Sequence, residues 1–381
     1  MADTLATAEN AFLVLADRVQ HGWLTVGDDG RIAAIGEGRA PERGANLNGD
    51  TLIPGLVELH TDHLESHYYP RPAVRWHKLG AVLAYDAQIA ASGITTVFDS
   101  LRAGTDEDGG DAGADLFELA KTIEQAAEQD LLRASHITHL RCEMPADDVM
   151  NAVKRFVAHR LPGLMSLMDH TPGQRQFRDL DKYLIYARKT GKEAAEVRER
   201  ARERMRQGTA RAQASRPALI RLAQEHGVPL ASHDDTTADD VAQAAEEGIA
   251  LSEFPTTMEA ASACHENGIT VVVGAPNLLR GGSHSGNVSA EALARAGLLD
   301  ILSSDYIPGS LLMAAFALPQ RVPAITLPDA IATVTRNPAR AVHLRDRGEI
   351  APGMRADLVR VHMAGALPVV RQVWRGGRRI A

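Results

Sequence analysis

The sequence predicts an α/β protein, a (β/α)8 barrel of the TIM type carrying a small β-sandwich domain formed by both chain ends. Three observations point there. Eight short apolar runs recur through the middle of the chain, with Ala-rich amphipathic stretches between them. The two ends hold apolar stretches broken by Asp-Gly and Gly-rich turns, and neither end has core enough to stand alone. No Gly-x-Gly-x-x-Gly turn follows the early runs, which counts against a doubly wound open sheet.

The first segment reads as hairpins: "AFLVLADRV", "GWLTVGDDGRIAAIGEG" and "ANLNGDTLIPG". The last, "RGEIAPGMRADLVRVHMAGALPVVRQVWRGGRRI", has the same texture. Residues 1–54 and 347–381 are therefore expected to pair into one small β domain, with residues 55–346 inserted as the barrel. The barrel strands are expected at "GLVELH", "GITTVFDS", "SHITHLRCE", "GLMSLMDH", "VPLASHDD", "IALSEFP", "ITVVVGAP" and "LLDILSSDY". A charge-dense insertion around 180–226 is helical in propensity and reads as a solvated face, a lid or a dimer contact.

Composition narrows the partners. A net charge of -8 gives no electrostatic case for nucleic acid or an anionic membrane, so an anionic substrate needs a local cluster of cations. Two cysteines, Cys142 and Cys264, form no disulfide framework and suit a reducing compartment. "NAFLVLA" is too short to span a bilayer and lacks a basic flank, and the expected location is the cytoplasm. A homo-oligomer stays open.

The chemistry sits at the ends of the runs. "VELHTDHLES" packs two His and three carboxylates into ten residues directly after an apolar stretch, which a core accepts only with a partner. Alternate strand residues face the same way, so His60 and Asp62 project together, and the C-terminal ends of barrel strands form the active face. Glu143, His170, His233 and Asp305 end four other runs. Singly, His170 or His233 reads equally as a hydrogen-bonded structural histidine and Asp305 as a helix cap. Together they describe a metal site suited to Zn²⁺, Mn²⁺ or Fe²⁺. His63, Glu65 and His67 lie past the strand, and contacts to the ligands or to substrate explain them as well as coordination does. A second constellation is "GAPNLLRGGSHSGN", where Arg280, Gly281, Gly282 and His284 could cradle an anion or make an ordinary turn. With Arg71, Arg75, Lys78 and Arg175 it argues for a phosphorylated substrate.

The pattern resembles the amidohydrolase superfamily: "LIPGLVELHTD" opening a barrel, later His and Asp strand ends, and "GEIAPGMRADLV" closing it. Within it, "LHTDHLESHYYPRP", "HLRCEMP", "SLMDHTPGQRQF", "ASHDDTT", "EFPTT" and "GAPNLLRGGSHSGN" are similar to a branch of triphosphate diphosphatases of the carbon–phosphorus lyase pathway. That resemblance covers nearly the whole chain. It implies a metal-dependent hydrolase, holding two divalent ions, that converts a phosphorylated ribose, ribose 1-methylphosphonate 5-triphosphate, to the 5-phosphate and pyrophosphate. The usual His-x-His is His-Thr-Asp here, so Asp62 replaces an imidazole, and Glu143 is the candidate bridge because no strand-end lysine offers itself. Asp305 is the expected general base. The rival readings are hydrolysis of an amide or cyclic ureide, and a metal-bearing subunit without catalysis.

Overall fold

The computed structural model describes residues 4–71, 74–105, 112–171, 194–283 and 285–381. The small sheet takes β1 (Thr7–Val14), β2 (Val19–Val26), β3 (Ile32–Glu37), β4 (Ala45–Asn46) and β5 (Thr51–Pro54) from the front of the chain. The barrel follows with β6 (Leu56–Thr61), β7 (Ile94–Ala103), β8 (Ser135–Glu143), β9 (Leu164–Met168), β10 (Leu230–His233), β11 (Leu251–Glu253), β12 (Thr270–Gly274) and β13 (Ile301–Ser303). The chain then returns to the small sheet as β14 (Leu358–Ala364), β15 (Leu367–Arg375) and β16 (Arg378–Arg379).

Both chain ends share one mixed sheet in the order β16-β15-β14-β5-β1-β2-β3, with β4 paired to β1. Its own core is Leu13, Leu24, Ile32, Leu52, Leu358 and Trp374. Ala8, Ala11 and Leu13 of β1 and Leu24 of β2 face this core, while Phe12 and Val19 are exposed. Gly55 stands at the passage from β5 to β6. Its N–H donates to the Asp357 carbonyl, and a side chain there would meet Thr95 Oγ1 at 2.2 Å, so only glycine fits between sheet and barrel.

The barrel strands run β13-β12-β11-β10-β9-β8-β7-β6, every neighbouring pair parallel. Strands buried on both faces need continuous apolar runs, which is why "LMSLM" and "TVVVG" show no alternation. The ring closes through one parallel bridge, Thr61 to Asp305. Val57, Leu59, Leu164, Ala231, Leu251, Val272 and Ile301 pack together with Ala339 and Val342, while a larger apolar cluster joins strands to helices.

The charge-dense stretch becomes the 33-residue helix Ala194–His226, with Pro217 inside it; residues 180–193 lie outside the described ones. Ser215 Oγ donates to the Met144 carbonyl, and Arg216 pairs with Glu247 at 2.6 Å. A Cβ on Gly208 would come within 2.7 Å of Thr171 Oγ1, so this helix lies against the loop that follows β9. Among the described residues no helix is long and apolar enough to cross a membrane.

Candidate metal centre at the barrel mouth

The floor of the site is a set of buried polar side chains on strand ends. Glu58 takes hydrogen bonds from the His60 amide (2.8 Å), Ser303 Oγ (2.7 Å) and the Ser304 amide (2.6 Å). These bonds join the first barrel strand to the last directly beneath His60. Burial pushes the Glu58 carboxyl up, and its three donors only partly offset this. A second chain crosses the interior. His60 Nδ1 lies 3.0 Å from Glu253 Oε1, and the Ser166 hydroxyl bridges Glu253 Oε2 (2.6 Å) and His139 Nε2. His139 Nδ1 donates to the Leu59 carbonyl at 2.9 Å. Burial drives the His139 imidazole down to about 3, so it is neutral.

Above this floor stand the groups that read as ligands. The rings of His60 and His233 are 5.5 Å apart, centroid to centroid, and those of His170 and His233 are 5.8 Å apart. Donor atoms of His60, His233 and Glu253 fall within 4.8 Å of one another, as do those of His170, His233 and Asp234. His233 belongs to both groups. Its Nδ1 lies 3.0 Å from Asp234 Oδ2. Burial pushes the His233 ring down, but the charge and hydrogen bond of Asp234 outweigh it and the net shift is upward. Glu143 accepts from His170 Nδ1 at 2.8 Å, and Arg102 approaches it to 4.0 Å. Burial alone would raise the Glu143 carboxyl; the His170 charge and hydrogen bonds and Arg102 hold it well below the usual range.

Two residues that directly follow barrel strands, Asp234 (φ 57°) and Phe254 (φ 59°), and Asp305 (φ 55°), two residues past the last strand, adopt left-handed backbone. Non-glycine residues in that region carry strain, and such strain gathers at functional sites because the surrounding fold over-determines it. Asp305 is nearly buried beside Asp62, and burial first, then the Asp62 charge, raise its carboxyl. Asp62 lies one residue past β6 and starts the short helix His63–Tyr68, where Arg141 Nη1 donates to its Oδ2 at 3.2 Å. The expectation that Asp62 projects from the strand itself is thus shifted by one residue.

The sequence-derived residues divide. His60, His170 and His233 converge. Asp62, Glu143 and Asp305 flank them but complete neither group of three. His63 turns away, donating from Nδ1 to the Tyr306 carbonyl (3.0 Å) and meeting Gln88 through Nε2 (3.0 Å), which His67 also meets (3.1 Å). Arg71 and Arg280 are exposed. The glycine cradle needs correction. Gly281, at φ 78°, closes the helix Ala275–Arg280, and the N–H groups of Gly281 and Gly282 donate to the Leu278 and Asn277 carbonyls. Those donors satisfy helix carbonyls and are not offered to an anion. Arg175 and His284 lie outside the described residues.

The sequence reading passed over Glu253, Asp234, Arg141 and Glu58. Strand alternation held the signal for two of them: Glu58 stands two residues from His60, and Arg141 two from Glu143. Glu253 ends β11 within "IALSEFP", a carboxylate at the C-terminal end of a barrel strand like the others.

Imidazoles and carboxylates gathered on the C-terminal ends of a closed ring of parallel strands define a barrel hydrolase of the metal-assisted class. A profile of the amidohydrolase family matches residues 79–381, and the chain belongs to that family. It is 43% identical over 375 residues to the alpha-D-ribose 1-methylphosphonate 5-triphosphate diphosphatase of Escherichia coli K12, covering 97% of this chain and 99% of that protein. An imidazolonepropionase of Deinococcus deserti is 38% identical over only 101 residues, 23% of this chain and 25% of that protein. Among solved structures, the 5-methylcytosine deaminase of Klebsiella pneumoniae superposes with a TM-score of 0.65 at 16% identity, covering 98% of each chain. The N-acetyl-D-glucosamine-6-phosphate deacetylase of Mycobacterium smegmatis does so at 0.63 and 19%, covering 99% of this chain and 100% of that one. At such identities these two share the fold, and their substrates carry no weight here.

Proposed function

We propose that the chain hydrolyses α-D-ribose 1-methylphosphonate 5-triphosphate, releasing pyrophosphate and leaving the 5-phosphate, in the cytoplasmic use of phosphonates. The observation that carries this reading is the 43% identity to the E. coli diphosphatase along nearly the full length of both chains. A relation of that extent takes in the barrel, its mouth and the small sheet together, which a shared fold alone does not. In this reading the chain divides into residues 1–54 with 347–381 and residues 55–346. That division is supported by β5 ending at Pro54 and β6 beginning at Leu56.

The donor set fits a divalent metal. Donor atoms of His60, His233 and Glu253 lie within 4.8 Å of one another, and the buried His60 Nδ1 and Glu253 Oε1, 3.0 Å apart, lack a well-aligned hydrogen bond that a cation would replace. His60, Asp62, Glu143, His170, His233 and Asp305 would hold two divalent ions, zinc or else manganese or iron. When bound, such ions supply Lewis acidity toward water and toward phosphoryl oxygens. Asp305 accepts the proton of the attacking water. The new O–P bond forms at the phosphorus nearest the sugar, and the bond from that phosphorus to the bridging oxygen breaks with pyrophosphate leaving. Arg71, Arg175 and Arg280 attract the distal phosphates, and Glu65 lines the approach.

The test is ³¹P NMR of the metal-supplemented protein with the ribose triphosphate, chelated protein serving as the control. Pyrophosphate that appears only with metal is the expected result. Orthophosphate would move the attack to the terminal phosphorus, and no release from metal-loaded protein would reject the reaction.

A further inference from the structure

We propose that Arg141 grips the phosphoryl group under attack, an assignment that deepens the proposed reaction and rests on it. Arg141 lies on β8, two residues before Glu143, so the two side chains leave the strand on one face. It is only 9% exposed. Its donors are only partly taken by protein groups. Nη1 donates to Asp62 Oδ2 at 3.2 Å, and Nε meets the weak thioether acceptor of Met168 at 3.4 Å. A guanidinium has five N–H donors, and among the described residues no acceptor takes either N–H of Nη2. One edge of the fork is left for a ligand.

The surroundings say what that ligand is. Four carboxylates act on Arg141: Asp62, Glu65, Glu143 and Asp305. A triphosphate approaching metal held by such groups must pass that negative charge, and its reacting phosphoryl oxygens need a fixed cation at the point of attack. Arginine suits this because its planar fork can take two phosphate oxygens at once, and its charge does not titrate away. Arg71 and Arg280 are exposed, which fits them to the distal phosphates and not to a group inside the mouth. The competing role is a plain counter-ion that steadies Asp62.

The metal-loaded full chain is compared as wild type, Arg141→Met and Arg141→Lys. Three quantities are read: bound metal by elemental analysis, binding of inorganic tripolyphosphate by calorimetry, and turnover of the ribose triphosphate. We expect wild-type metal content in both variants. In Arg141→Met, tripolyphosphate should bind about 10- to 100-fold more weakly, the scale of losing charge-assisted hydrogen bonds. Arg141→Lys should recover much of that binding but not turnover, because a point charge does not replace the fork. Unchanged tripolyphosphate binding in Arg141→Met at full metal content would overturn the assignment. Metal loss in both variants would also overturn it, in favour of the Asp62 counter-ion. If Arg141→Met fails to fold, wild-type binding and turnover in Arg141→Lys overturn the assignment by themselves. A wild-type protein that neither binds tripolyphosphate nor turns over the substrate would instead remove the proposed reaction, a result visible without any variant.

Discussion

Ser303 Oγ on the last barrel strand donates to Glu58 Oε1 on the first at 2.7 Å, and the same hydroxyl lies 2.7 Å from the His60 carbonyl. Among the described residues one backbone bridge, Thr61 to Asp305, joins these strand ends, and this side-chain clasp holds the seam of the ring. The Asp305 amide donates to the same hydroxyl at 3.3 Å, which ties Asp305 to His60. Every group facing the Glu58 carboxylate is a donor, so an amide in its place sets N–H against N–H.

Glu58→Gln should therefore destabilise the fold by about 2–3 kcal/mol, the cost of leaving a buried donor without an acceptor. Urea unfolding followed by circular dichroism measures this. A shift in midpoint near zero would mean that the seam relaxes around the amide and that the clasp does not hold it.

A second buried charge cluster lies away from the mouth. His136, on β8, has Nδ1 3.0 Å from Asp99 and Nε2 3.2 Å from Asp86, all of them buried. Burial pushes the imidazole down, but the two carboxylates together outweigh it and raise the ring to about 9. A folded-state value above the ordinary 6.5 means that the charged ring stabilises the fold below pH 6.5 and that this contribution fades as pH rises through about 9. Stability should fall across that window by roughly 2–3 kcal/mol, each pKa unit being worth ~1.4 kcal/mol. Denaturant midpoints at pH 6, 7.5 and 9 test it, with His136→Asn expected to flatten the profile. A wild-type midpoint constant over this range would place the proton elsewhere.

His233 contributes to both groups of three candidate donors, whereas Asp62 contributes to neither. His233→Ala should therefore lose most bound metal after dialysis, and Asp62→Asn should lose distinctly less. Elemental analysis of both variants decides the order. Equal retention in the two would show that the convergence of His60, His170 and His233 is not what holds the ions.

How much of this was legible in the sequence follows from what each signal depends on. Strands buried on both faces must be mostly apolar, so the barrel strands stand out as apolar runs. The pairing of the two chain ends followed from neither having core enough alone. Ionisable residues ending such runs marked His60, His170 and His233. The partners that orient them were harder to see, because Glu253, Ser166 and His139 meet across the interior from β11, β9 and β8, and spacing along the chain does not encode that meeting. The glycines after Arg280 misled for a related reason. A Gly-Gly pair marks a helix end as readily as an anion cradle, and only the hydrogen bonds to Leu278 and Asn277 tell the two apart.

Asp305 offers the sharpest test of the proposed chemistry. Its strained backbone (φ 55°) holds a carboxyl where burial first, and then the charge of Asp62, raise its pKa. A base whose affinity for a proton is raised is better suited to take one from water than an ordinary surface carboxylate. Asp305→Asn keeps the shape and removes that capacity. Turnover should fall by roughly 10²- to 10⁴-fold, the usual contribution of a general base, while tripolyphosphate binding stays near the wild-type value. Initial rates by ³¹P NMR, with metal content measured on the same samples, separate loss of the base from loss of an ion. Wild-type turnover in Asp305→Asn would remove Asp305 from the proton path and send the search for the base to Glu65, the other buried carboxyl near Asp62 whose pKa burial raises.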